Sequence, residues 1–154
     1  MTSPMIRAAR PDDLSKLEAL ERATFGEGAY PGFFFRQAFD ALGRTFFVAE
    51  DEGPEASGLA GYVLASWEAN ATDAWIWSLA VDPSRRGRGH AKRLLDACEA
   101  ALRDAGATAV RLHVSPTNDV AGAIYAARGY VEVDFVPDAF GPGADRRILR
   151  LALR

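Results

Sequence analysis

The chain has 154 residues, of which 49% are hydrophobic and 25% are charged, and its formal net charge is −3. This length and balance predict one soluble catalytic or binding domain, residues 1–154, and exclude general nucleic-acid binding, which needs a basic surface. The single cysteine, Cys98, excludes an intrachain disulfide. No stretch resembles a signal peptide or is long enough to span a bilayer. We therefore expect a cytoplasmic protein with neither a nucleic acid nor a membrane as its partner.

Apolar periodicity and turn residues divide the first half of the chain into short elements. Leu14, Leu17 and Leu20 recur at helical spacing, and Gly43 is expected to close the second helix. Asp51 to Gly58 is rich in turn residues, so it is expected to join the second and third strands as a hairpin. The predicted elements are a strand at Ile6–Ala9, a helix from Pro11 towards Ala23, a helix at Phe33–Leu42, and strands at Thr45–Glu50, Leu59–Trp67 and Trp75–Val81.

The second half alternates helices and strands. Trp75–Val81 is apolar on both faces, as expected of a central strand covered by helices. In the helix that follows it, Cys98 lies on the apolar side and is expected to be a small buried hydrophobe, whereas Glu99 is expected outside. The predicted elements are a helix from Ala91 to Gly106, a strand at Ala109–Val114, a helix at Asn118–Arg128, and strands at Tyr130–Val136 and Arg147–Leu153. The order βααβββαβαββ predicts an α/β (α+β) fold, with a mixed sheet and helices on both faces.

A glycine- and arginine-rich run, Arg86 to Lys92, connects the last strand of the first half to a helix. A strand that enters a Gly-x-Gly turn and then a helix presents unpaired N–H groups at the positive end of the helix dipole, which makes an anion site. Gly87 and Gly89 allow the backbone to approach a phosphate closely. Arg85, Arg86 and Arg88 add positive charge around it.

Three other readings of this run are possible from its residues. A nucleotide-binding P-loop requires Gly-Lys-Ser/Thr, but this run continues as Gly89-His90-Ala91 without a hydroxyl for magnesium. A dinucleotide fingerprint requires three glycines after an early strand, and only two are present. The third reading is a solvated arginine-rich loop without a ligand.

The residues around the run resemble the signatures of the GCN5-related N-acetyltransferases. The first match is Arg86-x-x-Gly89-x-Ala91, preceded by Val81-Asp82-Pro83 and followed by Leu94-Leu95. The second is Asn118-x-x-Ala121-x-x-Ile124-Tyr125-x-x-x-Gly129-Tyr130. The resemblance covers essentially the whole chain, including the order of elements. It implies a mostly antiparallel central sheet of about seven strands, and acetyl-CoA as the co-substrate, with no metal.

The resemblance also implies which residues bind the cofactor. In the family, the pantetheine arm is bound by the backbone of the strand before the loop, which corresponds to Leu79, Ala80 and Val81. The pyrophosphate is bound by main-chain N–H groups after Arg86, at the positions of Gly87, Arg88, Gly89, His90, Ala91 and Lys92. Asn118 is a helix cap by residue type, and the family adds a contact to the cofactor arm.

Two residues are expected to carry the chemistry. In the family, the tyrosine that matches Tyr125 protonates the departing thiolate, a transfer favoured because phenols and thiols have similar pKa values. The alternative role of Tyr125 is a core aromatic beside Ile124. The ribosomal-protein N-terminal alanine acetyltransferases carry their general base, a glutamate, at the position of His113. A histidine accepts a proton near neutral pH, so His113 is the expected base, with a structural strand histidine as the alternative. Glu68 and Glu50 are the fallback bases.

The acceptor is the least determined part of the reaction. The same subgroup grips its peptide with two tyrosines, which are Ala139 and Phe140 in this chain, so two hydroxyls are lost. Five aromatic residues occur where the family's substrate-facing helices lie, and we expect most of them in the core and one or two at the acceptor: Phe25, Tyr30, Phe33, Phe34 and Phe35.

The resemblance therefore implies direct transfer of an acetyl group from acetyl-CoA to a primary amine. A peptide or protein N-terminal α-amine is the first expectation for the acceptor, and a small amine (an amino acid, a polyamine or an antibiotic) is the second. The competing class is a coenzyme-A-binding module without turnover. Dimers are common in the family, and we expect a monomer or a homodimer.

Overall fold

The structure is a computed structural model that describes residues 5–51 and 58–154. Its elements follow the predicted order βααβββαβαββ, which is therefore confirmed. The seven strands are β1 Met5–Ala8, β2 Phe46–Glu50, β3 Leu59–Ser66, β4 Asp73–Val81, β5 Ala109–Val114, β6 Val131–Val136 and β7 Arg146–Ala152. The four α-helices are α1 Leu14–Phe25, α2 Gly32–Leu42, α3 His90–Ala105 and α4 Asp119–Arg128. Within the described ranges, no helix has the length and apolar character needed to cross a bilayer.

The strands form one mixed sheet in the order β1-β2-β3-β4-β5-β7-β6. The single parallel ladder with a described register joins β4 to β5, and β1/β2, β2/β3, β5/β7 and β6/β7 pair antiparallel. The parallel ladder runs from Asp73 opposite Ala109 to Ile76 opposite Leu112. The expected mixed, mostly antiparallel sheet is confirmed. The turn expected at Asp51 to Gly58 falls mostly outside the described residues.

The chain divides into two compact units. The first comprises Met1–Ala65 and Ser78–Ala101, and the second comprises Ser66–Trp77 and Leu102–Arg154. The core of the first unit contains side chains from α1, α2, β2, β3 and β4, among them Leu17, Leu20, Phe35, Phe46 and Tyr62. In the second unit the fully or nearly buried side chains include Val110, Leu112, Tyr125, Tyr130 and Leu149. The expectation of a single domain over residues 1–154 stays a prediction.

A buried polar network crosses the core of the first unit. Glu21 is 1% exposed, and its carboxylate accepts hydrogen bonds from the hydroxyl of Tyr62 at 2.6 Å and the main-chain N–H of Tyr30 at 2.9 Å. The Tyr62 hydroxyl also lies 2.7 Å from the hydroxyl of Ser78. Burial and the nearby Glu21 raise the pKa of Tyr62 far above its usual value, so its phenol remains a proton donor. The network connects α1 to the segment before α2 and to strands β3 and β4.

Two expectations about these elements were confirmed and two were wrong. Gly43 closes α2 as expected, in a right-handed conformation that continues into a short 3-10 turn. β4 is not apolar and buried on both faces, because Ala74 and Ile76 are buried while Trp77 is 48% exposed. Glu99 is buried within α3, beside the fully buried Cys98 whose predicted burial is confirmed.

Gly61 in β3 offers a test of the packing against β4. A Cβ atom at this position would lie 2.6 Å from the carbonyl oxygen of Ala80 and 3.1 Å from Cδ1 of Leu94. Because the nearest atom belongs to the main chain, it cannot move aside without a shift of the strand. We expect Gly61→Ala to lower the free energy of unfolding by about 1–3 kcal/mol in urea titrations. Gly28→Ala is the control, since no atom lies within 4 Å of its Cβ position. Equal stability of the two variants would contradict this packing.

Candidate active site

The loop that precedes α3 has the backbone geometry expected of an anion site. Gly87 and Gly89 adopt left-handed conformations, with φ angles of +81° and +83°, and α3 begins directly after them at His90. A Cβ atom at Gly87 would meet no atom within 4 Å, and one at Gly89 would meet only the Arg93 Nε atom, at 3.9 Å. The outer side of the loop is thus open, while the first N–H groups of a 16-residue helix end there.

Asp51, the residue that follows β2, binds this loop through its carboxylate. Its oxygens lie 3.3 Å from a guanidinium nitrogen of Arg85, 3.3 Å from one of Arg88, and 2.9 Å from Nε2 of His90. Arg85 is buried and also lies 3.8 Å from the carboxylate of Asp82. The expected positive charge of Arg85 and Arg88 is therefore largely directed at Asp51, which joins the loop to the end of β2.

His90 is buried at the first position of α3. Its side chain is 1% exposed, and although Nε2 is close to Asp51, neither ring nitrogen makes a hydrogen bond with good geometry among the described residues. Burial lowers the pKa of His90, and the nearby Arg88 and Arg85 act in the same direction against the opposing effect of Asp51. Because the ring is buried, the main-chain N–H of His90 is the group that a ligand at the loop can reach.

Two other cations of the run differ in their partners. Lys92 points away from the loop and forms an ion pair at 3.0 Å with Asp96, one turn along α3. Arg86 is exposed and forms no ion pair with a carboxylate of residues 5–51 or 58–154. Arg86 is therefore the side chain of this run whose charge remains most available to an anion.

Leu79, Ala80 and Val81 form the last three residues of β4. They lie beyond Ile76, where the paired register of β4 with β5 ends. Only Ala80 is buried, and its side chain packs in the core of the first unit. The main-chain groups of these residues stay the expected contacts for a pantetheine arm.

Tyr125 lies on helix α4 of the second unit, and both ends of this helix are capped. Asn118 caps the start of α4, because its side-chain oxygen accepts a hydrogen bond from the N–H of Ala121 at 3.1 Å, as expected.

The end of α4 is closed by Gly129. This residue is left-handed, with φ +96°, and its N–H donates a hydrogen bond to the carbonyl of Ala126 at 3.0 Å. The N–H of Tyr130 bonds to the carbonyl of Tyr125 at 3.1 Å, which completes a Schellman motif. The rings of Tyr125 and Tyr130 also meet edge to face at 5.3 Å. Both the backbone and the ring of Tyr125 are therefore fixed in place.

His113 in β5 belongs to an aromatic group of the second unit. Its ring stacks on Trp75 at 4.9 Å with an interplanar angle of 18°, and it lies 5.3 Å from the ring of Phe140. Part of the imidazole remains open to solvent, yet the covering rings still lower the pKa of His113, and Arg146 lowers it further. The pKa of His113 therefore lies below its usual value, and the stacking on Trp75 orients the imidazole.

The turn that carries Phe140 connects β6 to β7. Asp138 adopts φ +53°, and its carboxylate accepts the N–H of Gly143 at 2.7 Å, while the carboxylate of Asp145 accepts the N–H of Asp138 at 2.9 Å. Phe140 is 58% exposed, and Cζ of Arg146 lies 4.4 Å from its ring centroid. The phenyl ring therefore occupies the position where the subgroup's tyrosine is expected, without the hydroxyl.

The fallback bases and the aromatic residues remain, and some of these side chains have protein partners while others are exposed. Glu50 receives the guanidinium of Arg7, which lowers the pKa of Glu50 and makes it a poor base, whereas Glu68 is exposed in the segment after β3. Three of the five aromatics of this region pack inward, as expected, and Phe25 and Phe33 are 41% and 69% exposed. That one or two of them lie at the acceptor stays a prediction. The inward ones are Phe35, which is fully buried, and Tyr30 and Phe34, whose rings stack at 4.0 Å.

The sequence model of the acetyltransferase (GNAT) family matches residues 13–130. This span includes the glycine run, β5 and α4. The chain belongs to the acetyltransferase (GNAT) family. The resemblance found in the two sequence signatures is therefore confirmed, and the protein is an acetyltransferase of the class that uses acetyl-CoA.

Solved structures share this fold over nearly the whole chain. Naa20 of Chaetomium thermophilum, in complex with a bisubstrate analogue, is 27% identical with a TM-score of 0.81, covering 97% of this chain and 86% of its own. Ard1 of Thermoplasma volcanium is 22% identical with a TM-score of 0.88, and 99% of each chain is covered. The ribosomal-protein-S18-alanine N-acetyltransferase of Escherichia coli is 19% identical with a TM-score of 0.79, covering 97% of this chain and 94% of its own.

Sequence reasoning missed three residues that contact the expected site residues. Asp51 contacts the loop, Trp75 stacks on His113, and Arg146 lies against Phe140. Trp75 could have been found from the strand register, because it pairs with Arg111 and so shares a sheet face with His113 two residues on. No cluster of three or more metal-type ligands occurs in the part of the chain that the structure describes.

The glycine loop can be tested without acetyl transfer. We expect Gly87→Ala to weaken coenzyme A binding roughly tenfold, because a side chain over the loop would obstruct charge-assisted N–H contacts to the pyrophosphate. Gly143→Ala is the matched control, since Gly143 has φ +75° and its Cβ position is equally open. Both variants should lose about 1 kcal/mol of stability through left-handed strain. Calorimetric titration would contradict the binding role of the loop if both variants bound coenzyme A equally.

Proposed function

We propose that this acetyltransferase moves the acetyl group of acetyl-CoA to a primary amine by direct transfer, with a peptide or protein N-terminal α-amine as the acceptor class. The observation that carries the donor side is the loop before α3, where left-handed Gly87 and Gly89 leave the helix N-terminus open to an anion. In this proposal the N–H groups from Gly87 to Lys92 bind the pyrophosphate, and the exposed Arg86 adds positive charge beside it.

The acetyl transfer moves protons at two places, because the acceptor nitrogen loses two protons and the departing sulfur gains one. The acceptor ammonium first loses a proton to His113, since an ammonium has no lone pair with which to attack. The amine nitrogen then attacks the thioester carbon, and main-chain N–H groups near Leu79 to Val81 stabilise the developing oxyanion. The carbon–sulfur bond breaks with its electron pair on sulfur, and Tyr125 donates a proton to that thiolate. The attacking nitrogen gives up its second proton, which restores the Tyr125 phenol through solvent, and His113 passes the first proton to solvent. The products are an amide and free coenzyme A, and one proton is released to solvent.

The described contacts support His113 and Tyr125 in these roles. Trp75 orients the imidazole of His113, whose lowered pKa keeps it neutral and able to accept a proton at physiological pH. Tyr125 is fixed by the Schellman motif and by the ring of Tyr130. Of the alternative bases, Glu50 is already neutralised by Arg7.

The acceptor class is supported by likeness to proteins with peptide or protein substrates. The Escherichia coli enzyme is named for acetylating an alanine of ribosomal protein S18. The second candidate, a small amine, is favoured by one observation: Ala139 and Phe140 lack the hydroxyls with which the subgroup's tyrosines bind a peptide backbone. We propose a cytoplasmic location and a monomer or homodimer as the working state.

Release of the coenzyme A thiol in the presence of amines and N-terminal peptides tests the function. We expect wild-type protein to release thiol with at least one acceptor, and Tyr125→Phe to lower kcat about 100-fold or more because the leaving thiolate loses its acid. Calorimetric coenzyme A binding should be unchanged, which separates the acid from a folding effect. Binding without thiol release across the whole panel would favour a coenzyme-A-binding module, and an unaffected Tyr125→Phe would remove Tyr125 from the chemistry.

The pH dependence of kcat/KM tests the base. Because the pKa of His113 lies below its usual value of about 6.5, the neutral base forms at lower pH, and the acidic limb of the wild-type profile should have its midpoint below about pH 6.5. His113→Ala and His113→Gln should lower the rate about 100-fold near pH 7 and remove this limb. A limb that persists with the same midpoint would assign the base to another group.

A further inference from the structure

Arg146, the first residue of β7, is held against the aromatic group around His113. Its Cζ lies 4.4 Å from the centroid of the Phe140 ring, and Nη1 donates a hydrogen bond to the carbonyl of Asp145 at 2.7 Å. Phe140 in turn lies 5.3 Å from His113. The guanidinium and the expected base therefore contact the same phenyl ring, and Arg146 is close enough to affect the imidazole electrostatically.

The charge of Arg146 has no carboxylate partner among the described residues, whereas the other arginines of β7 are paired. Arg147 lies 2.5 Å from the carboxylate of Glu132, and Arg150 lies 2.9 Å from that of Asp73. The acidic groups of the adjacent turn, Asp138 and Asp145, accept main-chain N–H groups and make no ion pair with Arg146.

This arrangement gives Arg146 the properties of a ligand-binding group. The cation–π contact and the hydrogen bond to the carbonyl of Asp145 hold the side chain, and most of the five guanidinium N–H groups have no acceptor within residues 5–51 and 58–154. A half-buried guanidinium gains most from a planar anion that accepts two hydrogen bonds, and a carboxylate has that geometry. Because His113 and Arg146 both contact the Phe140 ring, an acceptor whose amine lies at His113 needs only a few bonds to bring a carboxylate to Arg146.

We propose that Arg146 recognises a carboxylate of the acceptor, so that the enzyme selects amines with a carboxylate a few bonds from the reacting nitrogen. The inference rests on the proposed acetyl transfer with His113 near the amine. Two sources have the same chemistry: the α-carboxylate of a free amino acid, and an acidic side chain next to a peptide N-terminus.

Matched acceptors distinguish both the chemistry and its source. One pair is Ala-Glu-Ala-Ala and Ala-Gln-Ala-Ala, both amidated at the C-terminus, and the other is free alanine and alaninamide. We expect kcat/KM to favour the carboxylate member of one pair by about tenfold or more, mainly through KM, and the preferred pair identifies the source. Arg146→Gln should remove the preference, and Arg146→Glu should reverse it by repelling the carboxylate. Arg147→Gln, which removes the same charge from the next residue of β7, should preserve it.

The pH profile of the reaction is a second readout, and it depends only on how close Arg146 lies to His113. With the neutral acceptor, Arg146→Gln should move the acidic limb of the pH profile to higher pH, because the imidazolium of His113 no longer meets a neighbouring cation, and Arg147→Gln should not. An Arg146→Gln protein with the wild-type ratio between carboxylate and amide acceptors would overturn the proposal. Calorimetric binding of the two peptides to the coenzyme-A-loaded protein is measured in parallel. That titration tests the carboxylate preference even if thiol release, and with it the proposed function, fails.

Discussion

Left-handed backbone conformations at two helix ends determine where the chemical groups of this protein lie. Gly87 and Gly89 turn the chain directly before α3, which leaves the first N–H groups of that helix open to an anion. Gly129 makes the corresponding turn after α4, and its Schellman motif holds Tyr125. A residue with a Cβ is strained in these conformations by about 1–2 kcal/mol, so both turns depend on glycine. The family signatures are conspicuous in the sequence because they encode these turns.

Several arginines are held in ion pairs with carboxylates of the protein, whereas two others are the ones to which we assign ligand anions. Asp51 takes up the charge of Arg85 and Arg88, and Asp73 takes up that of Arg111 and Arg150. In both cases one carboxylate joins two elements of its own unit, and the adjacent arginines lower the pKa of Asp73 strongly. Arg86 in the glycine run and Arg146 in β7 make no ion pair with a carboxylate of the described residues, and these are the two arginines to which we assign anion binding.

Two of the three positions at which this chain differs from the alanine acetyltransferases that it resembles, His113 and Phe140, belong to one contact group. His113 replaces the expected glutamate and Phe140 replaces the expected tyrosine, and their rings lie 5.3 Å apart. A glutamate and a tyrosine could exchange a hydrogen bond at such positions, whereas an imidazole and a phenyl ring pack against each other and against Trp75. With both replacements, position 113 still carries a side chain that can accept a proton, but the groups around it are less polar. This provides a physical reason to expect a different acceptor chemistry, which Arg146 would then determine.

The sequence by itself determined the order of the elements, most of their bounds, the glycine loop and both ends of α4. These features depend on local properties: the period of apolar residues, the permissiveness of glycine and the capping oxygen of Asn118. The partners of individual side chains were decided only by the tertiary structure. Asp51 meets His90 across 39 positions of the chain, and Trp75 meets His113 across 38, because strand and loop packing bring them together. Charge, pKa and ring contacts act over a few ångströms in space, so the roles of Asp51, Trp75 and Arg146 follow from packing that no local pattern encodes.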